Sequence, residues 1–117
     1  MAEAITEQAV IDFAEAAGRI PGGIAAVKQL APELAQECRQ QLASLRAALG
    51  VQDADQARLA AHSIKGAAAM FSASRIEQAS RALEKMACKA DFSNMPAALE
   101  ALEIELERLE GILIRKI

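Results

Sequence analysis

Apolar positions recur at helical spacing along most of this chain. Leu34, Cys38, Leu42, Leu45 and Leu49 advance by four, four, three and four residues, and Leu99, Leu102, Leu106, Leu109 and Leu113 by three, four, three and four. Both series draw one apolar stripe down a helix of 3.6 residues per turn. A first helix is predicted from about Thr6 to Ala17, with Thr6 as its cap and Val10, Phe13 and Ala17 on one face. Gly18 and the Ile20-Pro21-Gly22-Gly23 turn end it. A second helical region fills Ile24 to Leu49, but Pro32 interrupts it. The pattern there predicts a short helix followed by a longer one beginning near Ala31, with Gly50 as the stop.

The acidic segment Gln52-Asp53-Ala54-Asp55 opens a third helix that runs to about Phe71. Ser72-Ala73-Ser74 breaks it, and Ser74 followed by Glu77 has the form of a capping box for a fourth helix from about Arg75 to Lys89. Asp91 to Met95 reads as a loop, and Pro96 suits the first turn of a last helix reaching Ile117. The expected fold is all-α: an antiparallel four-helix bundle with an additional N-terminal covering helix, one domain over residues 1–117.

Composition agrees. Ala, Leu, Glu, Gln and Arg dominate, Trp and Tyr are absent, and Phe13, Phe71 and Phe92 are the only aromatic residues. The net charge of −3 and the lack of stacking side chains argue against a nucleic-acid partner. No apolar run approaches the roughly 18 residues of a membrane span, and the N-terminus lacks the pattern of a signal peptide, so a cytoplasmic location is expected. Cys38 and Cys88 lie far apart on helical segments and are expected to be free, buried thiols. One histidine and no close cysteine pair leave no ligand set for a metal. The heptads of the last helix read as a bundle stripe rather than a coiled-coil seam, and a monomer is expected.

The chemistry concentrates at that single histidine. His62, Lys65 and Gly66 stand at i, i+3 and i+4 and share one helix face. At about 100° per residue, Ala57, Ala60, Ile64, Ala67 and Phe71 fall opposite His62, on the expected core side. Asp55, Arg58, Lys65, Gly66 and Ala69 cluster around it, with Leu59 and Met70 at the margin. A lone helical histidine is ordinarily a core residue or an idle surface one. The wheel removes the first reading, and its neighbours weigh against the second. Gly66 costs a helix interior about 1 kcal/mol relative to alanine, and it clears space for a partner or a phosphoryl group. Lys65 is a mobile point charge suited to phosphoryl oxygens. Gly66, Ala69, Leu59 and Met70 form a shallow, largely apolar patch on which another protein could dock. An imidazole with a reference pKa of about 6.5 offers a lone pair at pH 7. The patch is therefore suited to accepting a phosphoryl group and passing it on.

Ala61-His62-Ser63-Ile64-Lys65-Gly66 fits the Ala-His-x-Leu-Lys-Gly motif of histidine-containing phosphotransfer (HPt) domains, with Ile64 for the leucine. The similarity continues through Phe71-Ser72-Ala73, Arg75-Ile76 and Leu83-Glu84, with Leu45 to Leu49 upstream, and covers about Leu34 to Glu84. The chain thus resembles the HPt modules of bacterial two-component phosphorelays. The resemblance implies that His62 accepts the phosphoryl group, that Lys65 attracts its oxygens, and that Gly66 lets the partner approach. It implies too that Glu84 orients the imidazole, where an ordinary surface carboxylate would pair with Arg81 or Lys85. The implied partners are a receiver domain of a response regulator, a hybrid sensor histidine kinase, or both. Arg58, Leu59, Gly66, Ala69 and Met70 make the docking surface. No cofactor is implied for the chain itself, with Mg²⁺ on the partner receiver, and no nucleotide motif marks an independent catalytic site. The alternative is a non-catalytic module that binds and sequesters a receiver or kinase. One departure stands out: Ser72 occupies a junction where the family usually has glycine, and a slightly different turn is expected there.

Overall fold

The computed structural model describes residues 4–115. Among them it has six helices and no strand: α1 (Glu7–Val10), α2 (Phe13–Ala17), α3 (Gly23–Gly50), α4 (Ala54–Met70), α5 (Ser74–Cys88) and α6 (Met95–Arg115). The last four form the bundle, each packed against its two neighbours in the cycle α3, α4, α5, α6. Ion pairs between Arg39 and Glu110 and between Arg46 and Glu103 step up α3 while stepping down α6, as antiparallel helices require. Leu34, Cys38, Leu42 and Leu45 meet Leu99, Leu102, Leu106, Leu109 and Leu113 in one core, to which Ile64, Ile76 and Leu83 belong. Both apolar stripes read from the sequence therefore face inward, with Leu49 half-buried at the edge.

The N-terminal cover is two helices, not one. Thr6 caps α1 as expected, accepting from the Ala9 amide at 3.2 Å. Ile11 and Asp12 then adopt extended backbone, with φ of −148° and −99°. The break has two tertiary causes. Ile11 reaches the core, where it is fully buried, and the Asp12 amide donates to the Ser72 carbonyl at 3.1 Å. Asp12 then caps α2 through the Glu15 amide at 3.0 Å.

Pro32 does not divide α3 either; the helix runs through it without interruption. Proline removes the amide that would have bonded the Lys28 carbonyl. Packing on both sides holds the helix nonetheless. Val27 is buried against Ala16 and Ile20, and Ala31, Leu34 and Ala35 enter the main core. At 1.5 Å per residue the 28 residues of α3 measure about 42 Å, comparable with the longest extent of 40 Å. Its N-terminal third extends past the shorter α4, and α2 covers that overhang.

Helices α3, α4 and α5 end in the same way. The amides of Gln52 and Asp53 donate to the Leu49 and Ala48 carbonyls, those of Ser72 and Ala73 to Ala69 and Ala68, and those of Ala90 and Asp91 to Ala87 and Met86. These are Schellman closures, and each puts a non-glycine residue in the left-handed region: Gln52 at φ 54°, Ser72 at 53° and Ala90 at 51°. One expectation is met here and one is corrected. The helix stops at Gly50 as expected, while the left-handed position of the closure falls to Gln52. Ser72 takes the glycine conformation itself and not an altered turn.

The Ser74–Glu77 capping box also fails to form. Ala73 is the cap of α5, and the Ser74 hydroxyl donates instead to the Ala9 carbonyl, tying α1 to the bundle. Cys38 is buried as expected, and burial pushes its thiol up to about 12, with the charges of Glu37 and Glu110 adding to the effect. Cys88 is exposed at the end of α5, because buried Leu83 and Ala87 turn its side of the helix outward. Pro96 lies in the first turn of the last helix as expected, while Ile117 lies outside the described residues.

Candidate phosphoacceptor site

Helix α4 is anchored by small side chains. Ala57, Ala60, Ala61, Ile64 and Ala68 are buried, so its backbone lies close against α3 and α5. The core face is thus turned slightly from the wheel's estimate: Ala61 and Ala68 join it, while Ala67 and Phe71 are half-buried. His62 projects from the opposite side with 62% of its side chain exposed.

Helix α5 brings Glu84 to meet it. His62 Nδ1 lies 2.8 Å from Glu84 Oε2, and Lys65 Nζ donates to Glu84 Oε1 at 2.6 Å. One carboxylate therefore receives both α4 side chains, one on each oxygen. Glu84 does not pair with Arg81 or Lys85; Arg81 bonds Glu77 at 3.0 Å. The ammonium of Lys65 holds the Glu84 carboxyl below its ordinary range, against an opposing effect of burial, and the imidazole lowers it further. An ionised carboxylate only accepts hydrogen bonds, so Nδ1 must carry the proton facing it. In the neutral ring Nε2 then keeps its lone pair. The geometry selects a tautomer with a nucleophilic nitrogen on the other edge of an exposed ring.

The other residues read around His62 differ in exposure. Gly66, Leu59 and Met70 are exposed, the last two at 49% and 50%. Arg58 and Ala69 are half-buried. Lys65 is less exposed than expected, at 27% of its side chain, because it leans on Glu84. Apart from its chain neighbours and the adjoining turns of helix backbone, a Cβ built on Gly66 would meet no atom within 4 Å, so tertiary packing does not require glycine there. The patch lies outside the cleft of about 410 Å³ between α3 and α6, which Arg46, Leu49, Pro96, Leu99, Glu100 and Glu103 line.

Sequence reasoning missed the support behind the α4–α5 junction. The Ser72 hydroxyl donates to Glu15 Oε1 at 2.7 Å and accepts from Arg19, whose Nε donates to the Met70 carbonyl at 3.4 Å. These partners stand more than fifty residues away along the chain, and no local spacing marks them. Among the described residues no three His, Cys, Asp or Glu side chains converge as a metal site, and no helix is long and apolar enough to cross a membrane.

Comparison with known proteins places this geometry. The family model described as Hpt domain matches residues 29–112, which leaves α1, α2 and the first turns of α3 outside the match. The chain is similar to the crystal structure of histidine-containing phosphotransfer protein B (HptB) from Pseudomonas aeruginosa PAO1, with 27% identity and a TM-score of 0.73 over 76% of this chain and 77% of that one. No curated protein matches the chain. With its bundle, its exposed histidine and a match across most of its length, the chain belongs to the Hpt domain family.

Proposed function

We propose that the chain is a phosphorelay intermediate: His62 takes a phosphoryl group from the phosphoaspartate of a receiver domain, or from a kinase, and hands it to the aspartate of a response regulator. The observation that carries this reading is the 2.8 Å contact from Glu84 to Nδ1 of an imidazole that is otherwise open to solvent. Nε2 attacks phosphorus in line as the bond from phosphorus to the aspartyl oxygen breaks, and the electron pair leaves on that oxygen. The ring then carries a positive charge while Nδ1 keeps its proton, and the Glu84 carboxylate is already placed to balance it. Lys65, a flexible cation beside the ring, shifts from Glu84 toward the transferred oxygens. The Mg²⁺ of such a transfer belongs to the partner receiver. Gly66 leaves clearance for the partner backbone, and Arg58, Leu59, Ala69 and Met70 form the surface that meets it. Return transfer to a second receiver runs through the same arrangement in reverse.

Incubation with a panel of phosphorylated receiver domains tests this proposal. Label should appear on the chain in base-stable, acid-labile form and map to His62, and His62→Ala should abolish it. Undiminished labelling of that variant overturns the assignment. A tight complex that never labels the wild-type chain would identify instead a module that sequesters its partner.

A further inference from the structure

Charge is divided unevenly over the bundle. Between Ala54 and Lys89 there are six basic residues against three acidic ones, whereas Met95 to Arg115 carries five glutamates against two arginines. The α4–α5 pair, which bears His62, therefore carries a net positive charge within a chain whose net charge is −3. Helix positions decide which of these cations are available. Lys65 is engaged by Glu84, Arg81 by Glu77, and Arg75 by Glu105. Arg58, Lys85 and Lys89 have no acidic group within ion-pair distance among the described residues, although Lys89 acts on Asp91 at longer range.

Lys85 and Lys89 are exposed and one turn apart, so they form a row along the outside of α5. Lys85 follows directly on Glu84, the residue that touches His62. Arg58 stands one turn before His62 on α4. A typical protein–protein footprint covers about 800 Å² on each partner, a disc of about 16 Å radius. Packed helices lie about 8–10 Å apart, so a footprint centred on His62 reaches the α5 row at its rim.

We propose that Lys85 and Lys89, together with Arg58 on the other flank, form an electrostatic rim that steers a receiver domain with an acidic surface beside its phosphoaspartate onto His62. The inference rests on the phosphorelay reading and adds a requirement on the partner's surface. Both lysines also complement the C-terminal end of the α5 dipole, a purely local benefit. The two roles separate by kinetics. A rim charge acts on the rate of encounter and loses its effect in salt, while a helix-end charge acts on stability alone.

The decisive measurement uses the full chain and a purified receiver that labels His62. Second-order transfer rates are compared for wild type and K85E/K89E at about 20 mM and about 500 mM salt. The variant should be slower by about ten-fold or more at low salt and by less than about two-fold at high salt. Its first-order rate at saturating receiver should match wild type, because neither lysine touches the reacting atoms. Equal second-order rates at low salt overturn the rim, with the relay role intact. So does a deficit that persists at high salt or appears in the first-order rate. If no receiver labels His62, the relay reading and the rim fall together. Circular dichroism of the variant should be unchanged, since both side chains are exposed, and its melting temperature should fall slightly with the lost helix-end charges.

Discussion

Three of the described residues sit in a conformation that usually goes to glycine, and they are not equivalent. Ala90 has no side chain beyond Cβ to compensate its left-handed backbone, whereas Ser72 bonds Glu15 and Arg19. A left-handed L-residue costs roughly 1–2 kcal/mol, which glycine recovers in part because its unfolded chain is freer. Ala90→Gly should therefore raise stability by about 0.5–1 kcal/mol in urea titrations. Ser72→Gly gains the same relief but loses a bridging hydroxyl, a loss of about 1–2 kcal/mol, so its net effect should be neutral or destabilising. A Ser72→Gly gain equal to that of Ala90→Gly would show that the hydroxyl contacts contribute nothing. At this scale the histidine patch was legible because its residues are three and four apart on one helix. Ser72 was not, since its compensating partners are joined to it only by the fold.

At the scale of elements, α3 shows tertiary packing overriding a local signal. A proline in a helix interior is less favourable than alanine by about 3 kcal/mol. Here the helix continues because Val27 on one side of Pro32 and Leu34 on the other are held by different clusters, one against α2 and one in the main core. Pro32 is exposed, so its replacement disturbs no core contact. Pro32→Ala restores an amide donor for the Lys28 carbonyl and should stabilise the protein by about 1–3 kcal/mol, read as a higher urea midpoint. A lower midpoint would mean that the ring itself packs. The N-terminal cover fails as one helix for the complementary reason. Its local pattern is helical, but burial of Ile11 and the bond from Asp12 to Ser72 require extended backbone between two short turns.

For the whole molecule, the charged seams between helices set the response to acid. Burial alone would raise the Glu105 carboxyl, but Arg75 and Arg108 bond it and hold it below its ordinary 4.5. Glu84 is lowered by Lys65 and His62. A carboxyl lowered by folding contributes stability that is present above its unfolded value and lost as pH falls through the folded one. Stability should therefore hold from neutral pH to about 5 and decline below about 4.5. Glu105→Gln should lose roughly 1–2 kcal/mol at pH 7 and show a shallower acid decline. Chemical denaturation at pH 7, 5 and 3.5 measures both. An unchanged slope would mean that the α5–α6 seam contributes no linkage.

Taken alone, the sequence determined the helical class, the two leucine stripes, the start of α4 at the acidic segment from Gln52 to Asp55 and the face shared by His62, Lys65 and Gly66. Each of these depends on residues within a turn or two of one another, where spacing translates directly into position. Tertiary structure decided the rest: the split cover, the unbroken α3, the left-handed Ser72 and the exposure of Cys88. It also decided that one Glu84 carboxylate would hold both His62 and Lys65. Those outcomes depend on which distant groups become neighbours when helices pack, and burial and hydrogen bonding between such groups outweigh local preference by a few kcal/mol.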